Sequence, residues 1–267
     1  MTETLNLDLR ALRCEGNLAF LPTEQLNNYP ILKATLIKAC GKYKNNSFEF
    51  PYPAQTVIDQ LISGKSINFK KEFQFFATPE TVAERLMDEI IFMYPEFDVL
   101  EPSAGHGSLI DALLKRNVGV IKHIDAIELS ELNFAVLEEK YRGNENVNII
   151  KGDFLENKSK KVYDLIIANP PFTNNQDIDH IRKMYSILGR GGQLISIAST
   201  SWLHGSQKKQ IEFREWLDEI EAEIKPIKQG EFKSSGTNVE SVLLVINKVL
   251  PLTPKQEEPE KYQLNLF

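Results

Sequence analysis

Cysteine is scarce in this chain, and what there is stands alone. Cys14 and Cys40 are the only two in 267 residues. That is too few for a disulfide framework, and they lack the C-x-x-C spacing of a redox or metal motif, so both are expected as buried thiols. Histidine is equally thin: His106, His123, His180 and His204 are scattered without ligand spacing, which predicts no structural metal. No apolar run approaches the roughly 18 residues of a membrane span, and the start "MTETLNLDLR" has no signal-peptide character, so a cytoplasmic protein without membrane contact is expected. An excess of basic charge is also missing. The net charge of −6 argues against a general polyanion binder and leaves room for a local basic groove.

What is present is the composition of a packed domain. A hydrophobic share of 42% and a charged share of 25% exclude a chain disordered throughout. The length suits one sizeable α/β domain with a small companion. Residues 1–72 read as a small α+β unit: an extended "LAFLP" (18–22), an amphipathic helix over 29–40, an extended 42–51, and a helix over 53–64. Residues 73–248 alternate. A helix over 79–93 precedes strands near 97–101, 123–128, 147–151, 163–168 and 193–198, with helices over 107–116, 131–141, 177–188 and 206–221. This alternation predicts βαβ units and a mostly parallel sheet covered on both faces. Strands at 223–228 and 240–247 have no helix between them and should pair antiparallel. Residues 249–267 are rich in proline and glutamate and are expected as a flexible, solvated tail.

The first candidate site is the turn after the first strand of the alternating zone, in "VLEPSAGHGSLIDALL". Gly105 and Gly107 let the backbone approach a ligand closely, and open α/β sheets bind nucleotides at this place. Ile110 stands where a dinucleotide G-x-G-x-x-G would have its third glycine. Glu101 ends the strand and would repel a pyrophosphate. S-adenosylmethionine has no phosphate and carries an ammonium and a sulfonium, so the charge favours that cofactor. Glu128 closes "HIDAIE", about where ribose hydroxyls bind, and Asp153 closes "NIIKGDF", able to accept from an adenine amine with Phe154 beside the ring. Each acid alone is also explained as a solvated strand end or a helix cap. Upstream, Thr78 reads as an N-cap and Pro79 as the first helical residue; Phe76 and Thr78 are candidates to touch the methionine end of the cofactor.

The second candidate is "IIANPPFTNNQ" (166–176). Asn169 ends a strand that should lie beside the first, near the switch point of the sheet. Pro170 holds Asn169 extended, and Pro171 does the same to Pro170, giving a stiff turn with preset polar atoms. An exocyclic amine on adenine is a poor nucleophile because its lone pair is delocalised into the ring. Two acceptors on its hydrogens favour a pyramidal nitrogen and aim that lone pair; the Asn169 side-chain oxygen and the Pro170 carbonyl are suited to be those acceptors. Positioning and fixed dipoles then carry the rate enhancement without a metal. Phe172 offers a stacking face for a base swung out of its helix.

In order, "FATP", "LEPSAGHGSLI", "IE", "GDF" and "NPPF" resemble the class I S-adenosylmethionine-dependent methyltransferases that modify N6 of adenine in DNA, in the gamma order of motifs. The resemblance covers about 75–248. It implies a Rossmann-like seven-stranded sheet whose last strand is antiparallel. It further implies that Phe76 and Thr78 match the motif before the sheet, and that the run Glu101, Pro102, Ser103, Ala104, Gly105 and Gly107 forms the cofactor loop. Glu128 corresponds to the ribose acid, Asp153 and Phe154 to the adenine contacts, and Asn169, Pro170, Pro171 and Phe172 to the catalytic tetrapeptide. The chain departs from many such enzymes in one respect: about 20 residues separate "NPPF" from the next strand, leaving no room for a large target-recognition segment. The same two acceptors also suit RNA adenine or a protein glutamine amide, and a non-catalytic cofactor- or DNA-binding subunit is the alternative of another class.

Contacts to DNA are sought in the first zone, with Lys42, Lys44, Lys70 and Lys71, and in the loops "TSWLHGSQKK" and "EFKSSGTN"; ordinary solvated faces explain each cluster equally well. Trp202 suits core packing better than a base pocket. The chain ends in "QLNLF", where Gln263, Leu264, Leu266 and Phe267 are either a hook packing on their own domain or resemble the short peptide by which bacterial replication and repair proteins dock on the sliding clamp.

Overall fold

The computed structural model describes residues 3–50, 52–64, 78–91, 96–116, 119–227, 231–232 and 240–248. Phe76, Lys70, Lys71, most of the "EFKSSGTN" loop and all of 249–267, including Gln263, Leu264, Leu266 and Phe267, lie outside the described residues.

The first part holds three helices, α1 (Glu3–Arg10), α2 (Tyr29–Lys38) and α3 (Ala54–Ile62), and four short strands, β1 (Arg13–Glu15), β2 (Leu18–Phe20), β3 (Lys42–Lys44) and β4 (Ser47–Glu49). The strands form an antiparallel sheet in the order β1-β2-β4-β3. The single extended segment expected over 42–51 is a hairpin instead. Asn45 and Asn46 take φ of 49° and 58°, the left-handed geometry that a tight two-residue turn requires and asparagine tolerates. Sequence periodicity also misses α1, which is too short for a strong pattern. It is held by Asp8, whose carboxylate accepts from the backbone N–H groups of Asn27 and Asn28 and from the Asn27 side chain at 2.8 to 2.9 Å. Asn28 caps α2, its side chain accepting from the Ile31 N–H. Cys14 and Cys40 are half-buried at the margin of this small core rather than enclosed in it, Cys14 within the three-residue β1 and Cys40 two residues beyond α2.

The second part contains α4 (Glu80–Asp88), β5 (Glu96–Glu101), α5 (Ser108–Arg116), β6 (Val120–Glu128), α6 (Glu131–Lys140), β7 (Val147–Lys151), β8 (Tyr163–Ala168), α7 (Gln176–Ser186), β9 (Leu188–Ser199), α8 (Lys208–Glu219), β10 (Glu223–Pro226) and β11 (Ser241–Asn247). Seven of these strands form one sheet in the order β10-β11-β9-β8-β5-β6-β7. β7, β6, β5, β8 and β9 run parallel, and β11 is antiparallel to both neighbours, so the α/β seven-stranded expectation holds.

The sheet is buried on both faces because its strands are apolar in both phases of the alternation. In β11, Leu243 and Val245 enter the cluster of α4 and α5, while Val242, Leu244 and Ile246 enter that of α7 and α8. Each fully buried aliphatic side chain contributes about 1.5 to 3 kcal/mol. Truncating the buried Leu244 to alanine should cost roughly 2 to 5 kcal/mol, as such cavities do. Trp202 belongs to the α7–α8 side, with 0% exposure and its ring edge-on to Phe213 at 5.0 Å.

The two parts pack together through α6. Leu132 and Val136 from α6 join the cluster built by α1, α2 and α3. What positions the candidate site is the adjacency of β5 and β8, with Val99 and Leu100 in register with Leu165 and Ile166. Both strands run parallel, so their last residues open on the same end of the sheet.

Candidate active site

Glu101 and Asn169 leave the ends of β5 and β8 and line one hollow together with Thr78, Ser103, Ala104, Ser108 and Leu109. Glu101 is 1% exposed, and no ion pair to it exists among the described residues. Burial pushes its carboxyl well above the ordinary range; the Ser103 N–H, at 3.3 Å, pulls back, and the charge of Glu128 adds to the push. A buried carboxylate of this kind is costly unless a cation meets it.

The turn from β5 into α5 is shaped by Gly105 (φ 55°) and Gly107 (φ 77°). At Gly107 a Cβ would stand 2.3 Å from the Tyr141 hydroxyl, so glycine is required there by backbone and by space. The turn is held from several sides. The Gly105 N–H donates to Glu128 Oε2 at 2.7 Å, and the Ala104 N–H to the Ile127 carbonyl at 3.0 Å. Lys140 donates to the His106 carbonyl at 2.8 Å and pairs with Asp111. The Tyr141 hydroxyl lies 2.9 Å from the Gly107 carbonyl and 2.8 Å from Asp111. The His106 ring meets the Asn133 side chain at 3.1 Å, and Tyr52 of the first part stands edge-on to it at 5.5 Å. Burial lowers the His106 pKa, so the ring is neutral near pH 7.

Glu128 ends β6 almost buried, its other oxygen accepting from the Ser130 N–H at 2.7 Å. Asp153, after β7, accepts from the Leu155 N–H at 2.8 Å. Phe154 is buried, 5.6 Å from the His180 ring and beneath the Lys183 ammonium, so its ring is core wall rather than an open stacking face. Leu129, beside Glu128, is 66% exposed. Sequence reasoning passed it over; the signal available was an apolar residue directly after a strand-end acid.

Thr78 is not the N-cap expected from the sequence. The helix starts at Glu80 with Pro79 before it, and the Thr78 oxygen accepts instead from the Asn169 side-chain nitrogen at 3.1 Å. That bond points the amide oxygen of Asn169 the opposite way. Pro170 is buried, Pro171 exposed, and Phe172 is partly buried against the α4–α5 cluster. After them Asn174 and Asn175 both take left-handed conformations before α7. The structure thus gathers Thr78, Glu101, Ser103, Ala104 and Asn169 in one hollow and bonds Glu128 to its loop through Gly105. Asp153 stands at the end of β7, on the far side of β6.

A group bound here has to bring positive charge to Glu101 and needs no phosphate cradle. S-adenosylmethionine meets both conditions, and the fold is that of the class I methyltransferases that use it. A solved structure described as a class I S-adenosylmethionine-dependent methyltransferase from Listeria monocytogenes superposes with a TM-score of 0.55 at 13% identity, covering 76% of this chain and 69% of that one. Fold and cofactor, S-adenosylmethionine, are those of this class of methyltransferase. Residues 82–216 match the methyltransferase small domain family, and the chain belongs to it. It is 32% identical over 145 residues to the type II methyltransferase M.AccI of Acinetobacter calcoaceticus, covering 54% of this chain and 25% of that protein. It is 35% identical over 105 residues to the modification methylase CviBIII of Paramecium bursaria Chlorella virus NC1A, covering 39% of this chain and 27% of the relative. The chain therefore spans about a quarter of the length of these relatives.

Proposed function

We propose that this protein transfers a methyl group to the exocyclic N6 amine of an adenine in DNA. The observation that carries the reading is the pairing, in one hollow, of the buried Glu101 with an Asn169 whose amide is oriented by Thr78. S-adenosylmethionine supplies an electrophilic methyl on a positively charged sulfur. Glu101 holds the cationic end, the 102–107 turn and Ser103 shape the space around it, Glu128 takes the ribose, and Leu129 and Asp153 serve the adenine ring. The Asn169 side-chain oxygen and the Pro170 carbonyl accept the two hydrogens of the target amine, which directs the nitrogen lone pair toward the methyl; as the N–C bond forms the S–CH3 bond would break, the neutral thioether S-adenosylhomocysteine leaving and one amine proton passing to solvent. Pro171 fixes the turn, and Phe172 offers its ring for stacking to a base taken out of its stack. The fixed acceptors cost no reorganisation during transfer, which is where such sites draw most of their rate.

Two relatives named as a type II methyltransferase and a modification methylase support DNA as the substrate. The terminal Gln263, Leu264, Leu266 and Phe267 fit a tether to the bacterial sliding clamp, which would hold the enzyme on newly made DNA by effective concentration. Mass spectrometry of plasmid DNA from an expressing strain tests the reading. N6-methyladenine absent from the empty-vector control is expected. Its absence from the plasmid, with transfer by the purified protein to RNA adenine or to a protein glutamine, overturns the substrate; cofactor binding without transfer to any of these overturns catalysis.

A further inference from the structure

The catalytic sheet carries little to hold a polyanion, and the chain as a whole is at −6. The exception is residues 29–46, comprising α2, β3 and the hairpin turn. They contain Lys33, Lys38, Lys42 and Lys44 and not one aspartate or glutamate, a local charge of +4. None of these four lysines forms an ion pair among the described residues; in the second part Lys115, Lys140, Lys151, Lys161, Lys209 and Lys225 are paired, while Lys122, Lys158 and Lys160 are not. Lys42 stands opposite Glu49 in the hairpin register without closing a salt bridge to it. Unpaired like charges concentrated on one face cost stability in the free protein and are relieved by a bound anion.

The face is also aromatic. Tyr29, Lys33 and Ile37 are spaced by four and form a stripe along α2 that flanks the buried Leu32 and Leu36. The Lys33 ammonium lies over the Tyr29 ring at 6.0 Å and the Tyr43 ring at 5.4 Å, joining helix and hairpin. Tyr43 is 50% exposed, and it lines a surface hollow with Tyr29, Gln25, Asn46 and one carboxylate, Glu24. Ammonium groups beside exposed tyrosine rings and carboxamides suit phosphates with sugars and bases between them. An acidic peptide would find the charge but no use for the rings. The unit that bears this face is fixed to the cofactor turn through Tyr52 and His106 and to α6 through Leu132 and Val136.

Resting on the DNA reading above, we infer that the α2–hairpin face is the surface by which this enzyme grips the nucleic-acid backbone, with Lys33, Lys42 and Lys44 on phosphates and Tyr43 against a sugar or base.

The test is the salt dependence of binding to a labelled DNA duplex, read by fluorescence anisotropy, alongside steady-state transfer to the same duplex. The triple variant Lys33→Gln/Lys42→Gln/Lys44→Gln should lower the slope of log affinity against log salt by about 2 to 3, at roughly 0.9 for each phosphate that is no longer neutralised. Its KM for DNA should rise at least about tenfold with kcat and cofactor affinity unchanged. The corresponding Lys→Arg triple should restore both slope and KM. Tyr43→Ala should weaken binding roughly tenfold while leaving the slope intact, as expected when stacking is removed and charge is kept. An unchanged slope in the glutamine triple, with wild-type transfer to DNA intact, overturns the face and leaves the function standing. A slope reduced in the triple while the wild type transfers no methyl to DNA does the reverse. Should the glutamine triple fail to bind cofactor, the Tyr43→Ala arm decides, and undiminished affinity there overturns the inference.

Discussion

The side-chain nitrogen of Asn169 donates to the hydroxyl oxygen of Thr78 at 3.1 Å, joining residues 91 apart in the sequence. On the proposed reading, a threonine from the segment before α4 helps set which end of the amide faces the substrate. Asn169→Ala should lower methyl transfer by about 10² to 10³, the usual loss when one preset polar partner is removed, with cofactor affinity by calorimetry unchanged. Thr78→Val keeps the shape and removes the acceptor, so kcat should fall several-fold, up to about tenfold, as for one neutral hydrogen bond. Thr78→Ser should recover it. A Thr78→Val enzyme with the wild-type kcat would show that Asn169 is held by other means.

Glu101 gives the protein a pH dependence whose sign differs between its two states. In the cofactor-free protein the folded state binds this proton more tightly than the unfolded chain does. Its contribution to stability is therefore complete below the unfolded value of 4.5 and is lost as the pH rises through the raised folded pKa. Binding a cationic cofactor requires the carboxylate, so affinity should increase with pH over the same window. Calorimetric titrations across that range should show proton release on binding. Glu101→Gln should flatten both profiles and weaken binding; a Gln variant with the same pH slope as the wild type would assign the dependence to another group.

The edge of the Tyr52 ring against His106 places a residue of the first part on the 102–107 turn. Tyr52→Ala should weaken cofactor binding several-fold, because the turn loses support on one side, and Tyr52→Phe should retain the wild-type dissociation constant. Equal affinities for all three proteins would reduce the ring pair to packing.

Deleting residues 263–267 should abolish capture by an immobilised bacterial sliding clamp while transfer to DNA in solution stays at the wild-type rate. Unchanged capture would sink the clamp assignment.

The sheet was legible because its strands are apolar in both phases and separated by helical periods, and the observed β7 (Val147–Lys151) and β8 (Tyr163–Ala168) have the bounds that this pattern gives. Glu101 and Asn169 were legible as polar ends of neighbouring buried strands, each with an ordinary explanation of its own, and it is the structure that sets them in one hollow. Thr78 was readable only as a cap, since nothing local announces a partner 91 residues away. The hairpin at Asn45 and Asn46 was lost because two asparagines between short strands interrupt no apolar pattern long enough to count. Tyr52, Lys140 and Tyr141 escaped for the same reason as Thr78: their partners in the 102–107 turn are brought near by the packing of α6 and the first part, and are not encoded in spacing.

The strand order has a consequence for how the molecule is made. β11 is the last of the sheet's strands to be synthesised, yet it lies inside the sheet, bonded to β9 along seven residues and to β10 along four. Until residue 247 has left the ribosome, β9 presents a bare edge and the clusters on both faces lack Val242 through Ile246. A nascent chain in that condition is a template for wrong pairing. Slow translation ahead of residue 241 would prolong the exposure, and a chaperone that covers the β9 edge would be needed most at that moment.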